Sequence, residues 1–270
     1  MMKRLVLSAV MACIVASLVF AAGVQESTSD TSLQKVMDKG KFVLGLDDAF
    51  PPMGFRNENN EIVGFDVDLA KEVTKRMGVE LVLQPIDWNA KEQELNTGKI
   101  DCIWNGFTIT EERKQNLNFS DPYLNNAQVI VVKNGSSYQT QKDLSGKIIG
   151  IQAGSSAATA VYGAKDFADS LKDVVEVKDN LIALMDLEAG GIDAVVLDLM
   201  VAVDNINRSK KDFRILSDYL ADEEYGIGFR KNDQALRDKV QQLLNDMAAD
   251  GTMAKISSEW FGSDITVVGK

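Results

Sequence analysis

There is no histidine among the 270 residues of this sequence. That excludes Ser-His-Asp and Cys-His catalysis and every histidine metal site. Cysteine is nearly absent as well. Cys13 and Cys102 are too few for a disulfide framework, and processing of the N-terminus would leave Cys102 alone. Positive charge is in deficit, with 29 Lys and Arg against 40 Asp and Glu, a net charge of −11. Such a chain repels phosphate backbones, so nucleic acid is not an expected partner. Beyond residues 5–22, no apolar run is long enough to cross a bilayer. The rest is ordinary for a soluble globular protein, 45% hydrophobic and 26% charged. Its length suits one large domain or two small ones.

The N-terminus reads as an address. Lys3 and Arg4 precede the apolar run 5–22, small residues Ala21, Ala22 and Gly23 follow, and then a polar stretch begins. Positive, apolar, small, polar is the order of a secretory signal. Residues 1–23 are therefore expected to be a signal peptide cleaved after Gly23. The alternatives are a retained anchor, since 18 residues can span a bilayer, or a lipid on Cys13, for which Val10-Met11-Ala12 is a poor lead-in. Loss of residues 1–23 removes two basic residues and no acidic one, leaving 27 against 40 and a net charge of −13. The expected location is periplasmic or otherwise extracytoplasmic, with membrane anchoring as the variant.

From about residue 40, strand-like and helix-like segments alternate. Residues 41–46 read as a strand. Phe65, Leu69, Val73 and Met77 recur every four residues on one helical face, with Gly78 as the stop. Residues 79–83 form a strand, 91–97 a short helix and 100–104 a third strand, in which Cys102 is expected as a small buried hydrophobe. This βαβαβ order implies a parallel sheet flanked by helices. The grammar restarts with strands at 128–133 and 147–152, a helix at 155–171, a strand at 174–177, a short helix, and a strand at 192–197. Short strands at 213–216 and 225–229 and helices at 234–249 and 252–261 complete the chain. The terminal helix pair is expected to pack on the first half.

Two segments nearly repeat. Leu95-Asn96-Thr97-Gly98-Lys99-Ile100-Asp101-Cys102 parallels Leu187-Glu188-Ala189-Gly190-Gly191-Ile192-Asp193-Ala194. Each is a helix end, a glycine stop, Ile-Asp and a short buried strand ending in a polar residue. Shared punctuation could produce this by chance. The alternative is two similar α/β lobes. Ligands sit off the carboxyl ends of strands in such sheets, so Asn105 and Asp198 are expected to face one crevice from opposite lobes.

Five motifs in order carry a resemblance. They are Gly45-Leu46-Asp47-Asp48-Ala49-Phe50-Pro51-Pro52, Gly64-Phe65-Asp66-Val67-Asp68-Leu69, Thr108-Ile109-Thr110-Glu111-Glu112-Arg113, Phe119-Ser120-Asp121-Pro122-Tyr123, and Gly150-Ile151-Gln152-Ala153-Gly154-Ser155-Ser156. Over about residues 35–262 the chain resembles the polar-amino-acid-binding proteins of ABC importers, extracytoplasmic solute-binding protein family 3. The resemblance implies an α/β, two-lobed periplasmic-binding-protein fold of type II, with a two-strand hinge. Residues 31–126 and 225–270 are expected to form lobe 1 and residues 127–224 lobe 2. The crossings are expected near residues 126–129 and 222–225.

A free amino acid is a zwitterion, and burying it requires a cation for its carboxylate and an anion for its ammonium. Arg113, whose planar fork can hold a carboxylate bidentately, falls on the family's carboxylate-binding arginine. Asp198, a carboxylate ending a buried strand, falls on the ammonium-binding aspartate. Asn105, Gly106 and Thr108 match the segment that offers backbone and hydroxyl groups. Ser155 and Ser156 open a helix whose N-terminus favours an anion, and Ser156 matches a second carboxylate contact. Phe50 and Trp88 match the aromatic walls, which favour a flat or cationic side chain. Asp47 matches a position that touches the ligand's side chain, and Gln152 is neutral where lysine would argue for glutamine or an acidic ligand. Asp48 is expected to point the other way. The ranking is arginine first, lysine and ornithine next, glutamine third. Phe50, Trp88, Asn105, Thr108 and Arg113 on one lobe and Ser156 and Asp198 on the other imply that ligand stabilises closure, which a membrane permease can read.

The expected partners are a free amino acid and the transmembrane subunits of an ABC permease. A monomer, no cofactor and no metal are expected. The rival classes are a cyclic-acid dehydratase on the same fold, which needs an acid/base group that only Asp or Glu could supply here, and a sensor domain, which normally continues beyond the second lobe.

Overall fold

A computed structural model describes residues 30–208 and 210–270. The signal-peptide reading of residues 1–23 lies outside the described residues. Among the described residues twelve strands follow one another: β1 Lys41–Leu46, β2 Ala49–Phe50, β3 Gly54–Arg56, β4 Ile62–Val63, β5 Glu80–Pro85, β6 Cys102–Thr108, β7 Leu117–Phe119, β8 Leu124–Lys133, β9 Ile148–Gln152, β10 Asp173–Val177, β11 Ala194–Asp198 and β12 Phe213–Arg230. The main sheet runs β10-β9-β11-β8-β12-β6-β1-β5, and β7 pairs with β12.

The fold is a two-lobed α/β architecture, and the sheet order contains its repeat. In one half β5, β1 and β6 are parallel, bordered by antiparallel β12. In the other, β10, β9 and β11 are parallel, bordered by antiparallel β8. Each unit places its first strand in the middle and its third strand next to the border. The near-repeated segments lead into β6 and β11, the equivalent third strands. Gly98 and Gly190, their glycine stops, both take left-handed φ, +77° and +87°. The resemblance between those segments is therefore structural rather than shared punctuation.

The two halves meet along β8 and β12, where Gln128 pairs with Ala221, Ala127 with Asp222, Asn126 with Glu223 and Asn125 with Glu224. These pairs overlap the segments 126–129 and 222–225. β8 starts at Leu124, earlier than the 128–133 expectation, because polar Asn125, Asn126 and Gln128 hide its strand pattern. The two short strands expected at 213–216 and 225–229 are one long β12. Its register shifts between Ile215 and Tyr219 and again before Ala221, which accommodates the polar stretch between them. The single helix expected at 155–171 is two, Ser156–Gly163 and Lys165–Ser170, because Ala164 at φ −85°, ψ 68° leaves helical geometry.

The helix Phe65–Met77 buries Phe65, Leu69, Val73 and Met77, the expected face, and ends at left-handed Gly78. β6 is buried along its whole length, including Cys102. The helices Gln234–Ala249 and Thr252–Phe261 pack on the first half. There Phe261 meets Phe65 at 5.0 Å between ring centroids, and Trp260 Nε1 donates to Asp68 at 3.0 Å.

Candidate functional site

The carboxyl ends of β1, β6, β9 and β11 converge on one cleft. Phe50, Trp88, Gly106, Thr108, Arg113, Gln152, Ser155, Ser156 and Asp198 line a single enclosed pocket there, of about 10 Å³ to a water-sized sphere. That volume is about one water molecule. Nine of the eleven candidate residues are thus brought together from both lobes. The other two stand directly behind the wall. Asn105 accepts from the Asp47 amide at 2.9 Å, and Asp47 accepts from Gln152 Nε2 at 2.7 Å. Alternation along β6 turns Gly106 and Thr108 to the pocket and Asn105 away from it.

Arg113 is 9% exposed and sits on the short helix Glu111–Asn116. Its start is fixed by Thr110, whose hydroxyl accepts from the Arg113 amide at 3.1 Å. The guanidinium lies 4.5 Å from the Phe107 ring centroid and donates to the Thr108 carbonyl at 2.8 Å and the Gly154 carbonyl at 3.3 Å. Burial lowers its pKa, yet an arginine keeps its charge. Two of its donors therefore anchor it while the charge faces the cleft.

Asp198 is 4% exposed at the start of the helix Leu199–Asn207, but its side chain makes no cap hydrogen bond. Its carboxylate instead accepts from Asn126 Nδ2 at 2.6 Å and the Tyr225 hydroxyl at 2.7 Å. Burial, then the nearby Glu223 charge, push it up to about 7. Asp47 is 7% exposed, and burial pushes it up to about 6 against the hydrogen bonds from Ala49 and Gln152. Asp48 points outward onto Arg56, as alternation required.

Hydroxyls bridge the lobes. Ser156 Oγ donates to Thr108 Oγ1 at 3.1 Å, while Ser155 Oγ turns back to the Gln152 carbonyl at 2.7 Å. Gly106 has φ +55°, and a Cβ there would come within 2.8 Å of the Phe50 ring, so only glycine suits this position. The Gly106 amide donates to Asp66 at 2.7 Å, and so does the Tyr123 hydroxyl at 2.9 Å. Asp66 is completely buried, which pushes it up to about 7.

Several residues at the site escape sequence reasoning. Lys91 is 5% exposed, and its ammonium donates to the Trp88 carbonyl at 3.2 Å and across the cleft to the Gly154 carbonyl at 2.8 Å. It also lies 5.2 Å from the Trp88 ring centroid, so the protein's own cation occupies one side of that indole. Burial lowers its pKa to about 8. Asn126, Gln128, Glu223 and Tyr225 come from the paired strands β8 and β12. The available signal was their position at the expected crossings; which way each side chain turns depends on the β12 register shifts.

Two lobes joined by paired strands, with a buried arginine at one end of the cleft and a buried aspartate nearby, define a two-lobed solute-binding protein. The chain belongs to the bacterial extracellular solute-binding proteins, family 3, whose profile matches residues 42–263. It is 30% identical over 264 residues to the L-cystine-binding protein TcyJ of Escherichia coli (strain K12), covering 96% of each chain. It is 32% identical over 270 residues to the arginine-binding extracellular protein ArtP of Bacillus subtilis (strain 168), covering 96% of this chain and 98% of the other. The crystal structure of Tv2483 bound to L-arginine superposes with a TM-score of 0.86 at 35% identity, over 89% of this chain and 98% of that one. Family members are solute-binding proteins rather than enzymes, and membership implies an extracytoplasmic location. No helix among the described residues is long and apolar enough to cross a membrane.

Proposed function

We propose that this protein captures a free cationic amino acid, arginine before lysine or ornithine, closes its lobes over it and delivers it to an ABC permease. The observation that carries the ligand assignment is Asp47, a buried carboxylate held by the Ala49 and Gln152 amides, with no cation in contact among the described residues. The charge balance agrees. Asp47 also feels the like charges of Asp179 and Asp48. A cationic ligand side chain beside it relieves that local excess of negative charge, which a zwitterion with a neutral side chain does not. The names of ArtP and Tv2483 bound to L-arginine support the same choice.

In this reading Arg113, Thr108, Ser155 and Ser156 take the carboxylate, Asp198 the ammonium, and Phe50, Trp88, Asp47 and Gln152 the side chain. Asn105 and Gly106 shape the wall. A pocket of about 10 Å³ cannot admit an amino acid, so entry requires residues 127–224 to swing from residues 31–126 and 225–270 about β8 and β12. Residues 1–23 act as the export signal, the mature protein works as a monomer outside the cytoplasm, and no cofactor takes part. The protein is not a dehydratase in this reading, because the cleft aspartates Asp47 and Asp198 are committed to ligand charges.

Glutamine is the second reading, and one contact favours it. Gln152 already presents a carboxamide to Asp47 at 2.7 Å, so a ligand carboxamide could take its place. The test is calorimetric titration of the twenty amino acids and ornithine into residues 24–270. Tight arginine binding, weakened at least tenfold in Asp47→Asn, is expected. Tight glutamine with silent arginine overturns the assignment, and silence from all of them overturns amino-acid binding itself.

A further inference from the structure

Asp198 has a neighbour that the zwitterion scheme leaves unused. Glu223 lies in β12, opposite Asn126 of β8. Its Oε2 accepts from Thr108 Oγ1 at 3.0 Å, Asn126 Nδ2 at 2.9 Å and Gln128 Nε2 at 3.0 Å. The same Asn126 nitrogen donates to Asp198 at 2.6 Å. One amide group therefore bridges two carboxylates, one on the second lobe and one on the strand that joins the lobes. Thr108 in turn accepts from Ser156, so Glu223 touches a chain of groups that crosses the cleft.

The charges around the pair are few. Tyr225 donates its hydroxyl to Asp198. Arg113 feels Glu223 first and Asp198 less strongly. Glu111 and Lys114 line, with Glu223, an open groove of about 890 Å³ that shares Thr108 and Ser156 with the enclosed pocket. Asp222 and Glu224 flank Glu223 on β12 and are exposed. β8 contributes only the amides Asn125, Asn126 and Gln128. The Asn126 and Gln128 side-chain oxygens are buried without a partner among the described residues. Acceptors here outnumber donors. Two carboxylates so placed cannot both ionise cheaply without a cation between them, and burial with the Glu223 charge holds Asp198 up to about 7.

We infer that Glu223 is the second carboxylate of the ammonium end: with Asp198 it shares the ligand's α-ammonium, and the pair thereby selects ligands with an unsubstituted α-amino group. Arrival of the ammonium displaces the proton held by Asp198 into solvent. This rests on the reading of Asp198 as the ammonium partner. Hydroxy acids and Nα-acylated amino acids lack that charge and are rejected twice, once by each carboxylate.

The experiment is calorimetry of arginine, and of Nα-acetylarginine, at pH 6 in buffers of different ionisation enthalpy. The wild type is expected to release about one proton per arginine bound. Glu223→Gln is expected to lower arginine affinity tenfold or more, to reduce the release while burial of Asp198 keeps part of it, and to narrow the preference over Nα-acetylarginine. Glu223→Asp should restore part of all three. Carboxyl NMR of Asp198, assigned by Asp198→Asn, should show its titration moving down in Glu223→Gln without any ligand. Unchanged affinity in a folded Glu223→Gln, or no proton release by the wild type, overturns this assignment alone. Failure of every amino acid to bind the wild type overturns the amino-acid reading and this inference with it.

Discussion

Arg113 is held by the Thr108 carbonyl and the Phe107 ring, an anchoring that its match to the family's carboxylate-binding arginine did not reveal. Anchored and 9% exposed, it gives up little entropy on binding a ligand. Arg113→Ala should weaken ligand binding at least about thirtyfold, from the roughly 2–5 kcal/mol lost when a buried hydrogen-bonded charge loses its partner. A calorimetric titration showing less than a threefold change would place the carboxylate elsewhere. Lys91 was not legible, because the sequence around it reads as a plain helix start. Its role depends on Gly154, 63 residues away, whose carbonyl approaches only when the lobes meet.

At the scale of elements, the left-handed Gly106 within β6 carries the site. Its φ of +55° and the 2.8 Å approach of a notional Cβ to Phe50 mean that Gly106→Ala incurs both left-handed strain, about 1–2 kcal/mol, and displacement of an aromatic wall. The melting temperature should fall by about 2–8 °C, and ligand affinity should fall with it. Gly78→Ala is the control. Its φ is +74° but nothing lies within 4 Å of the added methyl, so stability should drop while affinity stays. Equal affinity losses in both variants would remove the special role of Gly106. The helices and parallel strands were largely legible because their apolar periodicity is local. The paired strands β8 and β12 were less so. Polar Asn125, Asn126, Gln128, Asp222, Glu223 and Glu224 interrupt the apolar pattern where the two halves join, since those side chains serve the cleft and the groove beside it.

For the whole molecule, buried titrating groups set the pH profile. Asp47 at about 6 and Asp66 and Asp198 at about 7 all lie above the ordinary aspartate value of 3.8. The folded state holds their protons more tightly than the unfolded state, so they stabilise at low pH and that contribution is lost as pH rises through 6 to 7. Lys91 is opposite, lowered from 10.5 to about 8. The folded state binds its proton less tightly, so stability recovers from about pH 8 until, above about pH 9, the buried Cys102 thiol and then the Tyr123 and Tyr225 hydroxyls, all raised by burial, oppose it. The ligand-free protein should therefore melt at its lowest temperature near pH 7–8, measured by calorimetric melts from pH 5 to 10. A maximum there would contradict the burial of these groups. Saturating ligand should also lower the radius of gyration in solution scattering; an unchanged radius with a tight ligand would count against closure.

The sequence by itself determined the class of fold, the repeat of two α/β units, the family and the residue types at the cleft. These follow from local periodicity, glycine punctuation and short motifs, which need no knowledge of distant neighbours. Only the tertiary structure decided how those residues are held. It set Asn105 behind Asp47, turned Asp198 toward Asn126 and Tyr225, and brought Lys91, Gln128 and Glu223 to the cleft. Each of these contacts joins residues far apart along the chain. They are made by the register of β8 on β12 and the approach of the two lobes, which no local pattern encodes.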